Sequence, residues 1–182
     1  MIDKTTIEEC LKNNKASQKK LYDSLAPKMY AVCLRYAGKR IAAEDILQEA
    51  FIKVFKYLPT FNFNGSFEGW VRRIVVNTAL DHIKKYAEPF EEINENLTFE
   101  TLISVNDAIT QLSIEDLFQL IRSLPEGKRI IFNLYAFEGY SHKEIADLLG
   151  ISIMTSKGQY SKAKKMLQEK IMNLNYLTYE HK

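Results

Sequence analysis

Apolar side chains recur along most of this chain at intervals of three and four residues, the repeat of one face of an α-helix. Leu21, Leu25, Met29, Val32, Cys33 and Tyr36 form one stripe, and Leu47, Phe51, Val54 and Leu58 a second. Trp70 with Ile74 opens a third. Pro59 closes the second helix, and residues 61–69 (FNFNGSFEG) read as a loop from their Asn and Gly content. The helical period lapses over 87–113, returns at Ile114, Leu117, Leu120, Ile121 and Leu124, and stops before Pro125. A further helix near 127–138 puts Ile130, Ile131, Leu134 and Phe137 on one face. No segment alternates apolar and polar residues long enough to predict a strand. The expected fold is all-α: two small helical domains, 1–86 and 114–182, joined by an acidic linker over 87–113. Cores of that size are marginal, and a long linker lets two lobes grip a target at two places.

Composition narrows the class. No apolar run in the 182 residues approaches the roughly 20 needed to span a bilayer, so no membrane insertion is expected. The opening MIDKTTIEECLKNN has no apolar stretch behind a basic end and does not read as a secretory signal. Cys10 and Cys33 stand apart from any CxxC or Cys/His cluster, as reduced thiols of a cytoplasmic protein do. The net charge of +2 conceals a segregation. Residues 87–116 hold eight of the 23 acidic side chains and no Lys or Arg, leaving 25 basic against 15 acidic elsewhere. Two basic lobes flanking an acidic stretch point to a polyanion partner, nucleic acid first. Chance clustering on solvated faces gives the same count, so motifs have to decide.

The richest stretch is GYSHKEIADLLGISIMTSKGQYSKAKKML. Ser141 followed by Glu144 is a capping box, opening a helix that buries Ile145, Leu148 and Leu149. Gly150 stands where a helix C-cap needs positive φ, and Ser152 or Thr155 can cap the next helix. Two short helices around a Gly turn predict a helix-turn-helix, whose second helix enters a major groove. Stepping about 100° per residue along that helix groups Tyr160, Ala163 and Leu167 on the core side. Gly158, Ser161, Lys162 and Lys165 then face outward, with Lys157 and Lys164 on the flanks, a set suited to a DNA backbone. A helical hairpin with a solvated Lys face is the plainer reading.

In the first lobe, the face opposite the buried stripe carries Asp45, Gln48, Glu49, Ile52 and Lys56. Acidic residues around an exposed Ile suit a protein-docking face, although an ordinary solvated helix with one stray Ile looks the same. The loop with Phe61, Asn62, Phe63, Asn64 and Phe67 precedes a helix bearing Arg72, Arg73, Lys84 and Lys85. Aromatics beside cations can stack unpaired bases while the cations track phosphates; the alternative is that the rings are core, as expected for Trp70.

DILQEAFIKVF, FEGWVRRIVVNTALDHIKK and LPEGKRIIFNLYAFEGYSHKEIADLLGIS resemble, in order, motifs of bacterial RNA polymerase sigma factors. The compact layout is similar to the extracytoplasmic-function group of the sigma-70 family, over roughly residues 16–172. The resemblance implies that Asp45, Gln48, Glu49 and Ile52 bind core RNA polymerase at its clamp helices. It implies that the 61–67 loop, with Asn77 on the following helix, opens the −10 element and captures a flipped base, helped by Arg72, Arg73, Lys84 and Lys85. The second helix of the C-terminal lobe corresponds to the −35 reader, through Lys157, Gly158, Ser161, Lys162 and Lys165. The acidic linker corresponds to the segment threading polymerase toward its active centre. An anti-sigma factor is expected as a further partner, with a free monomer otherwise. Three positions depart from the family: Ser156 stands for a usual Val on the buried side, and Gln159 and Lys162 stand where Arg is common. Lys lacks the bidentate fork Arg offers guanine, so −35 readout is expected to lean on backbone contacts and DNA shape.

The competing reading within DNA binding is a stand-alone helix-turn-helix regulator, which leaves the exposed Ile52 unexplained. An enzyme finds no support. Asp45 and Glu49 lack a Glu-x-x-His partner, His82, His142 and His181 show no HExxH spacing, and no glycine-rich phosphate loop is present. Neither a cofactor nor a metal is expected. A pure protein-interaction module sits badly with the basic balance outside the linker.

Overall fold

The computed structural model describes residues 2–86 and 113–179, with side chains through 85 and from 113 to 174. The chain divides into two compact units, Met1–Ala87 and Glu88–Lys182. The acidic stretch 87–113 lies outside the described residues apart from Ser113.

The first unit begins with α1 (Lys4–Leu11), where the Asp3 side chain accepts the Thr6 N–H at 2.7 Å as an N-cap. Sequence periodicity had not marked this eight-residue helix. It buries Ile7 and Cys10 and packs on α2 (Lys15–Ala37), with the Ser17 hydroxyl donating to the Glu9 carboxylate. Asn14 caps α2 through the N–H groups of Ala16 and Ser17, and Gly38, at φ 71°, ends it in the left-handed conformation a Cβ disfavours. Next come α3 (Arg40–Tyr57), a short 3-10 turn (Leu58–Thr60), and α4 (Phe67–Tyr86). α2, α3 and α4 each pack on the other two, making a three-helix bundle.

The stripes expected on α2 and α3 are buried throughout. The stripe expected on α4 is displaced by one residue. Val71, Val75, Val76, Ala79, Leu80 and Ile83 form the core, while Trp70 and Ile74 are only half-buried. Because α4 lies against two helices at once, its buried sector is wide and lined by small side chains that let the backbones approach. Both cysteines are free and buried, and burial pushes the Cys33 thiol up to about 12, so it stays protonated and unreactive.

In the second unit, α5 (Ile114–Arg122), α6 (Glu126–Ala136) and α7 (His142–Leu149) all pack with α8 (Ile153–Tyr179). Ile121, Leu124, Ile130, Ile131, Leu134, Ile145, Ala163 and Leu167 supply the core. Ile114, expected in the buried stripe, is exposed, as befits the first residue after the Ser113 cap. Phe137 also lies largely outside its stripe, since α6 ends at Ala136. The buried Arg129 closes the end of α5: its Nη1 donates to the Leu124 carbonyl at 3.0 Å and the Arg122 carbonyl at 3.4 Å. A cation placed there satisfies carbonyls that the helix itself leaves open. All regular elements among the described residues are helical.

Candidate nucleic-acid interface

The outer face of α3 is the first of three candidate surfaces. Asp45, Gln48, Glu49, Ile52 and Lys56 are all exposed, as their spacing predicts. Ile52 stands 68% exposed on this face. Glu49 shares Lys53 with Asp81 of α4, at 2.9 and 3.4 Å. Burial pulls the Lys53 ammonium down, but the two carboxylates outweigh it and the net displacement is upward. Glu49 is thus partly neutralised, whereas Asp45 takes part in no ion pair among the described residues. Ile41, 77% exposed, lies on the same face, eleven residues and about 16 Å along the axis from Ile52. Sequence reading missed it, although an eleven-residue spacing brings a helix back within about 20° of its starting direction.

The loop after α3 is organised by an aromatic cluster rather than by free rings. Phe61 is only 8% exposed, with ring centroids 5.1, 5.0 and 5.4 Å from Phe63, Phe67 and Trp70. Phe67 stacks on Trp70 at 5.7 Å. Phe61 therefore supports the loop from beneath instead of offering a stacking surface, which corrects the expectation that it meets bases directly. The loop is the small core of its own turn. Phe63 is exposed, has φ +60°, and carries the Lys4 ammonium 5.1 Å from its ring centroid. Asn62 and Asn64 are exposed, and the Asn64 N–H donates to Asn62 Oδ1 at 3.1 Å in an Asx turn. Ser66 starts α4 by accepting the Gly69 N–H on its hydroxyl and the Trp70 N–H on its carbonyl. Along α4, Arg73, Asn77 and Lys84 share one exposed row. Arg72 is half-buried a quarter-turn away, and Lys85 is exposed on the other flank.

The helix-turn-helix forms as its sequence signals require. The Ser141 and Glu144 capping box is complete in both directions, and Gly150 takes φ 68°. Of the two candidate caps for α8, Ser152 serves: its hydroxyl accepts the Thr155 N–H at 2.9 Å. The outward face of α8 is turned from its expected position. Gly158 is buried and Lys162 half-buried, while Met154, Lys157 and Lys165 are exposed with Ser161 between them. Gly158 consequently does not belong to the open row. Counting 100° steps fixes relative directions along a helix, but which flank a neighbouring helix covers is a tertiary fact.

Ser156 is fully buried, and its hydroxyl lies 2.9 Å from His142 Nδ1, joining the first turns of α7 and α8. The His142 ring stacks on Tyr135 at 4.4 Å, with Tyr160 5.7 Å away. Burial, aided by the Lys157 charge, holds the His142 imidazole below its ordinary value of 6.5. Above pH 6.5 the ring is neutral in folded and unfolded chains alike. As pH falls below that, the unfolded chain takes up its proton first, and stability is lost until the folded ring titrates. The unfolding free energy of wild type should therefore drop more than that of His142→Phe between pH 7.5 and 5.5. Urea titrations followed by circular dichroism measure this; parallel decreases would contradict it.

Comparisons with known proteins bear on the same segments. The family description Sigma-70 region 2 matches residues 21–88, and Sigma-70, region 4 matches residues 114–167. These are 68 and 54 residues, 122 of the chain's 182. Among curated proteins, the chain is 28% identical over 185 residues to the ECF RNA polymerase sigma factor SigW of Bacillus subtilis (strain 168), across 96% of this chain and 99% of that protein. It is 26% identical to the RNA polymerase sigma-H factor of Pseudomonas aeruginosa, across 94% and 95%. Among solved structures, CnrH in complex with the cytosolic domain of CnrY shares the fold at TM-score 0.50 and 17% identity, over 94% of this chain and 97% of that one. The sigma factor RpoE in complex with the anti-sigma factor NepR from Bartonella quintana does so at TM-score 0.50 and 19%, over 85% and 96%.

Proposed function

Since the chain belongs to the sigma-70 family of bacterial RNA polymerase sigma factors, in its extracytoplasmic-function group, we propose that it binds core RNA polymerase and directs promoter recognition, DNA melting and transcription initiation. The observation that carries this reading is the order of the two regional matches, one on each compact unit. The work is binding rather than catalysis, and its place is the cytoplasm; no helix among the described residues is long and apolar enough to cross a membrane.

The roles divide along the surfaces described above. The α3 face of Asp45, Gln48, Glu49 and Ile52 docks on polymerase, with Asp45, which has no ion pair among the described residues, as its leading charge. Phe63, Asn62 and Asn64 present the loop to the displaced strand, and Phe61 and Phe67 hold its shape. Arg73, Asn77 and Lys84 track that strand along α4, with Arg72 and Lys85 beside them. Capturing an unstacked base must offset a few kcal/mol of unstacking, so selectivity concentrates at one −10 position. α8 docks in the duplex at −35 through Lys157, Ser161 and Lys165, with Lys162 at the edge. An anti-sigma factor is the expected regulator, as the similar fold of RpoE is bound by one in its solved complex.

Purified full-length chain mixed with bacterial core RNA polymerase should co-migrate on a native gel and confer initiation on promoter fragments that core alone leaves silent. A folded chain that binds duplex DNA but never polymerase would overturn this in favour of a stand-alone regulator.

A further inference from the structure

Resting on the promoter-binding reading of α8, we infer that Met154 and Ile153 read thymine 5-methyl groups in the −35 major groove. Both occupy the first turn of the helix and stand 47% and 45% exposed. Water gains nothing from an exposed Met and Ile at adjacent positions, whereas a groove floor studded with methyl groups would bury them. Met154 lies on the same outward row as Lys157, Ser161 and Lys165. The apolar end is therefore continuous with a cationic stripe suited to the phosphates that border a groove. The first turn of a recognition helix is also the part that penetrates furthest toward base edges.

The chemistry of the remaining side chains sharpens the assignment. Gln159, the one amide near the start of the helix, is buried, and Gly158 is buried as well. The polar side chains of the outward row are two exposed lysines, Lys157 and Lys165, with the half-buried Ser161 between them. A lysine ammonium is a point charge that binds phosphate or guanine without the geometric constraint of a forked guanidinium. Such a row positions the helix strongly and discriminates bases weakly. Apolar contact with a methyl group supplies what the row lacks, a signal that distinguishes thymine from every other base. The readout of this helix is thus divided: lysines set register on the backbone, and Met154 with Ile153 choose the base.

The test uses holoenzyme reconstituted from the full chain and core polymerase. Duplexes bound from a pool randomised across the −35 region are sequenced, and thymines in the enriched sites are replaced singly by deoxyuridine. Wild type should enrich thymine and lose about fourfold in affinity for each contacted methyl removed, the ratio expected for one buried methylene. Met154→Ala with Ile153→Ala should bind the thymine and deoxyuridine duplexes equally, since the contact is already gone. Both side chains are exposed, so the variant keeps its fold. Equal wild-type affinity for the two duplexes would overturn the inference while leaving promoter binding intact. So would a loss in the variant confined to core-polymerase affinity, which assigns the pair to a protein contact. Failure of the wild-type holoenzyme to enrich any duplex would overturn the promoter reading and this inference with it.

Discussion

Combining Asp45→Arg with Ile52→Glu is expected to weaken binding to core RNA polymerase by roughly two orders of magnitude, about 2.7 kcal/mol. Two effects add. Ile52 is a large apolar side chain left in water by its own fold, and covering it by a partner is worth on the order of 1.5–3 kcal/mol; a buried carboxylate in its place reverses the sign. Asp45 has no ion-pair partner among the described residues, so its charge is available across an interface, and an arginine there converts attraction into repulsion. Neither change touches the core, since both residues lie on the exposed face of α3, and thermal stability should shift by no more than about 0.5 kcal/mol. Titration of labelled chain against core polymerase measures the loss. Wild-type affinity in the double variant would remove α3 from the docking surface.

The second large effect concerns the loop before α4. Phe61→Ala should cost about 3–5 kcal/mol of first-unit stability, because it empties the centre of a four-ring cluster. A small helical bundle has only about 5–15 kcal/mol in hand, so a substantial part of its stability goes with that ring. Phe63→Ala removes an exposed ring and should change stability by less than about 1 kcal/mol, which separates the two phenylalanines by role. Trp70 is the single tryptophan of the chain and sits 5.4 Å from Phe61, so its fluorescence reports this unit specifically during urea unfolding. Near-equal midpoints for the two variants would contradict the division. Both should impair strand opening, Phe61→Ala through the lost shape of the loop and Phe63→Ala through the lost surface.

Much of this architecture was legible because it is written in local chemistry. Capping boxes, the Gly150 turn and the stripes of α2 and α3 depend on residues within a turn or two of one another, where spacing alone decides. The errors arose where a second element intervenes. Trp70 and Ile74 were read as core on α4 because large apolar residues dominate a pattern; the close approach of α2 and α3 instead selected the valines and alanine beside them. Gly158 and Lys162 were placed on the open face of α8 because direction along a helix is readable while coverage by a neighbour is not. Phe61 looked like a stacking platform because composition cannot tell a ring that offers its face from one that supports its neighbours. α1 was overlooked because eight residues carry little more than two turns of periodicity. Asp45, Gln48, Glu49, Ile52 and Lys56 are exposed on α3 as their spacing predicts, and Ile41 extends that face.

Phe63 holds a backbone conformation that costs an ordinary residue about 1 kcal/mol or more, and the Phe61 ring and the Asx turn keep it there before any DNA arrives. In the proposed −10 role, a loop shaped in advance has no ordering step to wait for. The encounter between loop and strand should then be timed by how often a base leaves the duplex, and association should quicken on templates carrying a mismatch at that position. Dissociation, by contrast, should be set by the contacts made once the base is held.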